Sequence, residues 1–137
     1  MSEVIRVEIC APERAKTKFE ATEVVCPGED GIFAVRKGHT PLLTTLVPGV
    51  LLIHDASGEE HYFAVGGGFA EIESDRVLVL ADSCENGQDV DTVRAQDAEQ
   101  RATERLRTGD AETDLKRAEM ALYRAMARIK AAKRTAF

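Results

Sequence analysis

All four prolines and nine of the ten glycines precede residue 88, and beyond it only Gly109 remains. Glycine and proline punctuate local structure more strongly than other residues do. A chain that carries them at short intervals and then abandons them changes architecture at that point. Residues 1–87 therefore read as one unit and residues 88–137 as a second.

The first unit has the period of strands. "VIRVEIC" alternates from Val4, with Val7 and Ile9 on one face and Arg6 and Glu8 on the other. "EATEVVCP", "IFAVR", "PLLTTLV", "GVLLIHD", "EHYFAVG", "FAEIES" and "DRVLVLAD" follow, separated by turn formers in "PGEDG", "KGHTP", "PGV", "ASGE", "GGG" and "SD". No helical stretch intervenes between these short runs. That spacing predicts an antiparallel β-sandwich or barrel over 1–87 rather than a parallel sheet. The triple glycine reads as a tight connection between two strands, at a place where side chains would clash.

The second unit has the period of helices. Ala95, Ala98, Ala102 and Leu106 form a stripe within a Gly- and Pro-free run from Asp91 to Thr108. Gly109 marks the end of that helix, and "DAETD" offers caps for the next. Leu115, Ala118, Leu122, Ala125, Ile129, Ala132 and Ala136 then repeat at three and four residues, as a heptad seam does. The short connection predicts a C-terminal two-helix antiparallel hairpin over 88–137. Only Leu115, Leu122 and Ile129 in that seam are large, so the hairpin is expected to be movable.

Charge separates the two units further. Residues 1–90 hold 7 basic and 16 acidic side chains, net −9, whereas residues 91–137 hold 11 and 8, net +3, which together give the total of −6. The acidic total argues against nucleic acid as a partner, because phosphate binding wants a basic field. Cys10, Cys26 and Cys84 are odd in number and widely spaced, so they read as buried, inert thiols in a reducing compartment, with neither a disulfide nor a metal expected. The N-terminus has no apolar leader and no run reaches the roughly 18 residues of a membrane span. Work at a membrane would then depend on partners.

Catalytic motifs fail on inspection. "VGGGFAE" lacks the Lys-Ser/Thr of a phosphate loop, and "DVDTVRAQDAEQ" lacks both the turn glycine and the closing Glu of a calcium loop. There is no G-x-S-x-G and no H-E-x-x-H. His39, His54 and His61 lie in or beside turns, where a solvated or hydrogen-bonded structural role is the default. No enzyme activity is expected.

An arginine pattern remains. Helix positions seven apart differ by only ~20° in azimuth. Arg94 and Arg101 thus share a face of the first helix near Arg105, and Arg117, Arg124 and Arg128 align on the second. Convergence of those faces would be unfavourable without an anion or carboxylates among them. Glu85 and Asp91 could complete such a pocket by accepting bonds from a base or ribose. The plainer alternative makes Asp91 a helix cap and pairs the arginines with Glu99, Glu104 or Glu119.

Taken in order, "GHTPLLTTLVPGVLLI", "FAVGGGFAEI", "DRVLVLAD" and the two-helix tail resemble the epsilon subunit of F-type ATP synthases over essentially the whole chain. The resemblance implies a non-catalytic rotor subunit of the central stalk. Its sandwich would dock on the gamma subunit and on the c-ring, with Glu29 and Asp30 of "GEDG" and the loop around His39 where the family meets the rotor. Its hairpin would fold against the sandwich or extend along gamma toward the catalytic alpha and beta subunits and restrain ATP hydrolysis. Some bacterial members bind ATP through a motif matched here by Val90, Asp91, Arg94 and Ala95, with Glu85, Arg101, Arg124 and Arg128 at the family's spacing. ATP would be a regulatory ligand, and no cofactor is required. The family's usual Ile or Leu is Val90 here. Its glycine-rich run has Ala34 where glycine is common and Lys37 where proline is frequent. The expected location is peripheral, on the cytoplasmic face of a bacterial membrane, since no transit peptide is evident. The rival reading is a stand-alone nucleotide-sensing or coiled-coil adaptor module, and a small hydrolase is a more distant one.

Overall fold

The structure, a computed structural model, describes residues 3–12, 14–109 and 114–137. Strands β1 (Ile5–Cys10), β2 (Thr17–Gly28), β3 (Gly31–Val35), β4 (Leu42–Asp55), β5 (Glu60–Ile72), β6 (Arg76–Ala81) and β7 (Cys84–Asn86) lead into a 3₁₀ turn, Gly87–Asp89. Helices α1 (Thr92–Thr108) and α2 (Leu115–Ala132) complete the chain. The fold is a β-sandwich followed by a helical pair.

Two strands are twice the expected length. "PLLTTLV" and "GVLLIHD" form one strand, β4, running through Pro48 and Gly49, and the triple glycine lies inside β5 rather than between strands. These long strands serve both layers. The second half of β5 pairs with β6, and its first half pairs with β7. Likewise β2 gives its first half to β1 and its second to β3, with β4 on its other edge. In β5 the change of partner occurs at the glycines. Gly67 and Gly68 have φ of 101° and 135°, and a Cβ on Gly68 would lie 2.1 Å from the Leu80 carbonyl. The close approach expected of the glycines is thus correct, but it bends one strand instead of joining two.

One pairing departs from the antiparallel expectation. β1 runs parallel to β6, with Val7 opposite Val77 and Ile9 opposite Val79, and antiparallel to β2. β1 therefore closes the sheet on itself, satisfying edges that would otherwise template association.

Between the layers lies an apolar core of Ile5, Val7, Ile9, Val24, Leu51, Ile53, Phe63, Val65, Ile72, Val77 and Val79. Full burial of each large side chain is worth about 1.5–3 kcal/mol. A second, smaller cluster sits outside this core. Val25, Val50, Leu52 and Ala64 point away from the interior and meet Ala127, Ala131 and Ala136. This explains the near-continuous apolar runs "EVVC" and "VLLI": both faces of those segments are covered, one by the core and one by the C-terminal segment.

α2 is the inner helix. It contacts β4, β5, β7 and the 3₁₀ turn, while α1 packs on α2. The seam positions Ala118 and Ala125 are buried as expected, but Leu115 is 46% exposed and Ala136 lies beyond the helix end. The missing feature is a second stripe, Ala127 and Ala131, which seats α2 on the sandwich. Asp91 caps α1 by accepting from the Arg94 N–H at 3.1 Å, and Asp114 caps α2 by accepting from Arg117 N–H at 3.0 Å. The other cap candidates, residues 110–113, fall outside the described residues.

Candidate functional site

A cavity of about 460 Å³ opens where β5 and β7 meet the helices. That volume lies in the range that holds a small ligand. Glu85 of β7 enters it from the sandwich, and Arg124 and Arg128 enter one helical turn apart from α2. Two arginines at i and i+4 repel each other. Glu85 relieves this by accepting from Arg128 Nε at 2.8 Å. Gly66 makes room on the opposite wall: a Cβ there would lie 2.1 Å from Ser83 Oγ and 3.5 Å from Arg124 Cδ.

The eight candidate residues divide by position. Glu85, Arg124 and Arg128 surround the cavity. Val90 ends the 3₁₀ turn, Asp91 caps α1, and Ala95 is buried on α1. Arg94 and Arg101 are exposed and do not line the cavity. Between them, however, stands Ala98, which does line it. Positions i−4 and i+3 are its neighbours on the helix surface, so both arginines flank the opening within reach of a long side chain. The chemistry offered is that of anion binding, since guanidinium groups present planar forks of donors suited to phosphate.

Cys84 is a lining residue that sequence reasoning did not place here. Burial pushes its thiol up from the ordinary value; Arg14 opposes this and the Glu85 charge adds to it. Arg14 also donates to the Cys84 carbonyl at 3.3 Å. Among the cysteines only Cys26 is fully buried, with burial pushing its thiol up to about 12; Cys10 and Cys84 are half-buried, contrary to the expectation for all three.

The rotor-contact candidates do not form one point. Glu29 and Asp30 make the exposed turn before β3, and His39 follows the other end of that strand. Glu29 N–H donates to the Thr45 carbonyl at 2.9 Å, whereas Gly38, beside His39, donates to Ser74 at 2.6 Å. His39 Nδ1 lies 2.6 Å from the Thr40 carbonyl, the local role assigned to it by default.

A second polar group occupies the β4–β5 turn. Asp55, Glu59 and His61 place metal-ligand atoms within 4.8 Å of one another. Asp55 Oδ1 already accepts from Ser57 N–H at 2.9 Å, Ser57 Oγ at 2.6 Å and Glu59 N–H at 3.0 Å, and His61 Nε2 lies 2.7 Å from its Oδ2. The Ser57 and His61 bonds, reinforced by the backbone donors, hold the Asp55 carboxyl well below the usual carboxylate range. These contacts fix the turn.

One outer face of the sandwich is uncovered. Phe69 on β5 sits between Thr45 of β4 and Leu80 of β6, with Leu43 on the diagonal. Leu43 is 71% exposed, Phe69 51% and Leu80 48%. Exposed apolar side chains gathered on one face are the kind of surface that seats a partner. The signal was legible in "VLVL" and "FAEI", which carry apolar residues on both faces of their strands.

Fold and surface together define a sandwich module with a docked helical appendage, one outer face closed by its own helix and the other open. Two family profiles span nearly all of it: the ATP synthase, Delta/Epsilon chain, beta-sandwich domain over residues 4–87, and the corresponding long alpha-helix domain over residues 88–133. The chain belongs to the ATP synthase delta/epsilon chain family. It is 41% identical over 132 residues to the ATP synthase epsilon chain of Desulforamulus reducens, covering 96% of this chain and 99% of that one. With the ATP synthase epsilon chain of Moorella thermoacetica it shares 41% over 128 residues, covering 93% and 96%. A chain in the cryo-EM structure of the Euglena gracilis mitochondrial ATP synthase OSCP/F1/c-ring superposes with a TM-score of 0.82 at 18% identity, over 97% of this chain and 82% of that one. At that identity the likeness speaks for the fold. Among the described residues no helix is long and apolar enough to cross a membrane.

Proposed function

We propose that this chain is a non-catalytic central-stalk subunit of a proton-translocating F-type ATP synthase, peripheral on the cytoplasmic face of a bacterial membrane. The observation that carries the reading is the unequal treatment of the two outer faces of the sandwich. The face bearing Val25, Val50, Leu52 and Ala64 is covered in cis. The face bearing Leu43, Phe69 and Leu80 is left to solvent, so it is the natural seat for the gamma subunit. Glu29, Asp30 and His39 lie at the margins of that half of β4, where c-ring loops would meet the module. The helical pair is the regulatory element. Undocked, it extends along gamma toward the alpha and beta subunits and restrains hydrolysis. Docked, it completes the cavity at Glu85, Arg124 and Arg128, which takes ATP as a regulatory ligand, with Val90, Asp91 and Ala95 shaping the helix start and Arg94 and Arg101 closing over the phosphates.

Purification of the intact complex tests the assignment. Leu43→Asp with Phe69→Asp should abolish co-isolation of gamma while the isolated chain stays folded, and a chain ended after Asp89 should still assemble but hydrolyse ATP faster. Undiminished co-isolation of gamma with the double variant would remove the docking face. Absence of gamma and c-ring from the wild-type isolate would favour a stand-alone adaptor.

A further inference from the structure

α2 ends in an unusual way. Thr135 N–H bonds the Lys130 carbonyl at 3.0 Å and Arg134 N–H bonds the Ala131 carbonyl at 3.1 Å. This reciprocal pair seats a left-handed residue just past the helix, and that residue is usually glycine. Here it is Arg134, with φ of 58°, a conformation that side chains resist. Arg134 is the sole non-glycine residue with positive φ among the described residues. A position that favours glycine yet holds arginine invites the question of what the side chain does.

The guanidinium reaches back across the joint between the two units. Its carbon lies 5.0 Å from the centroid of the Tyr62 ring, and Nη2 donates to the Glu60 carbonyl at 3.4 Å. The Tyr62 hydroxyl donates to Glu60 Oε2 at 2.9 Å, which fixes the ring. Burial and the Glu60 carboxylate push that phenol up, so it stays a donor through the neutral range. Two residues beyond, Ala136 is buried with Val25, Val50 and Leu52. The tail therefore grips β5 and the outer face after the helix itself has ended.

We infer that Arg134 and Tyr62 form a clasp that holds the docked hairpin to the sandwich and sets how often it opens. The left-handed turn is what delivers the guanidinium to the ring. The clasp rests on the proposed mobility of the hairpin, and the test separates the two ideas.

Hydrogen exchange of the full chain, read by mass spectrometry, gives the opening of α2 against the core strands β4 and β5. Tyr62→Leu, Arg134→Gly and the double variant form a cycle, which removes the packing loss of the ring and the relief of the left-handed turn from the comparison. Tyr62→Leu should raise the opening constant of α2 roughly three- to tenfold more in the Arg134 background than beside Arg134→Gly, the scale of a cation over an aromatic face. Equal effects in the two backgrounds, within about 1.5-fold, would overturn the clasp while leaving the mobile hairpin intact. Exchange of α2 solely in step with β4 and β5 would overturn both, because no separate opening would then exist.

Discussion

Gly87 sits at the junction between the units, and replacing it with alanine should pry the hairpin from the sandwich without disturbing the core. A Cβ there would lie 2.3 Å from the Ala131 carbonyl oxygen, 2.7 Å from its carbon and 3.1 Å from the Tyr62 carbonyl oxygen. All three are backbone atoms, of α2 and of a strand paired on both edges, so no flexible side chain can give way. Ordinary contact requires about 3.5 Å, so the end of α2 must retreat by about 1 Å, and a gap of that size forfeits a quarter to a half of each dispersion contact it opens. Ala127 and Ala131, which meet Val50, Leu52 and Ala64, are the residues displaced. Overpacking of this kind costs about 1–3 kcal/mol, which corresponds to a roughly 5- to 150-fold larger opening constant for α2. Amide exchange along the chain measures it directly: α2 should lose protection by that factor while Ile53, Phe63 and Val65, in the core between the layers, keep theirs. Unchanged protection of α2 would refute the wedge. Equal loss in that core would refute the claim that the joint can yield by itself.

Two further outcomes are expected. Arg94→Ala combined with Arg128→Ala should reduce ATP binding to the isolated chain by at least about a hundredfold, since each charge-assisted bond contributes roughly 1.5–3 kcal/mol; calorimetry showing unaltered binding would dismiss the cavity as the nucleotide site. Asp55 should shape the acid limb of stability: its carboxyl is held low by Ser57 and His61, so the unfolded chain binds the proton first and stability falls as pH drops from the ordinary carboxylate range through the lower folded value. Asp55→Asn keeps the Oδ1 acceptor that the turn uses but should flatten that limb in urea melts from pH 6 to 2, and an unaltered slope would show that another group governs it.

The sandwich and the helical pair were legible because their signals are local. Alternation in "VIRVEIC", the cap at Asp91 and the stop at Gly109 depend on neighbours within one turn or one pleat. What escaped was long-range. Whether "GGG" ends a strand or bends it depends on Leu80 and Ala81 lying across from Gly68, which no short window contains. The parallel β1–β6 pair is set by closure of the whole sheet. The arginine faces were legible as periodicity, yet periodicity cannot say which helix turns inward. α2 does, so Arg124 and Arg128 reach the cavity while Arg94 and Arg101 stand outside it. The Ala127 and Ala131 stripe was hidden by its residue type, because alanine reads as helix former before it reads as interface.

That stripe changes what the hairpin can do. A seam with three large residues, one of them exposed, would hold α1 to α2 weakly. The joint to the sandwich is a different matter, because alanines let the helix approach closely and the apolar area lies on the other side. Val25, Val50 and Leu52 are each about 5% exposed when α2 is docked, and opening would return all three to water at about 25 cal/mol for every Å² of apolar surface. The isolated chain is therefore expected to stay docked with or without nucleotide. A ligand at a hundredfold excess over its Kd adds about 2.7 kcal/mol to the docked side. On the proposed reading, that increment matters when something pulls the other way, as the shaft and catalytic subunits would by contacting the released helices. On that reading nucleotide control would belong to the assembled enzyme: ATP should change the hairpin's posture in the complex far more than in the free subunit.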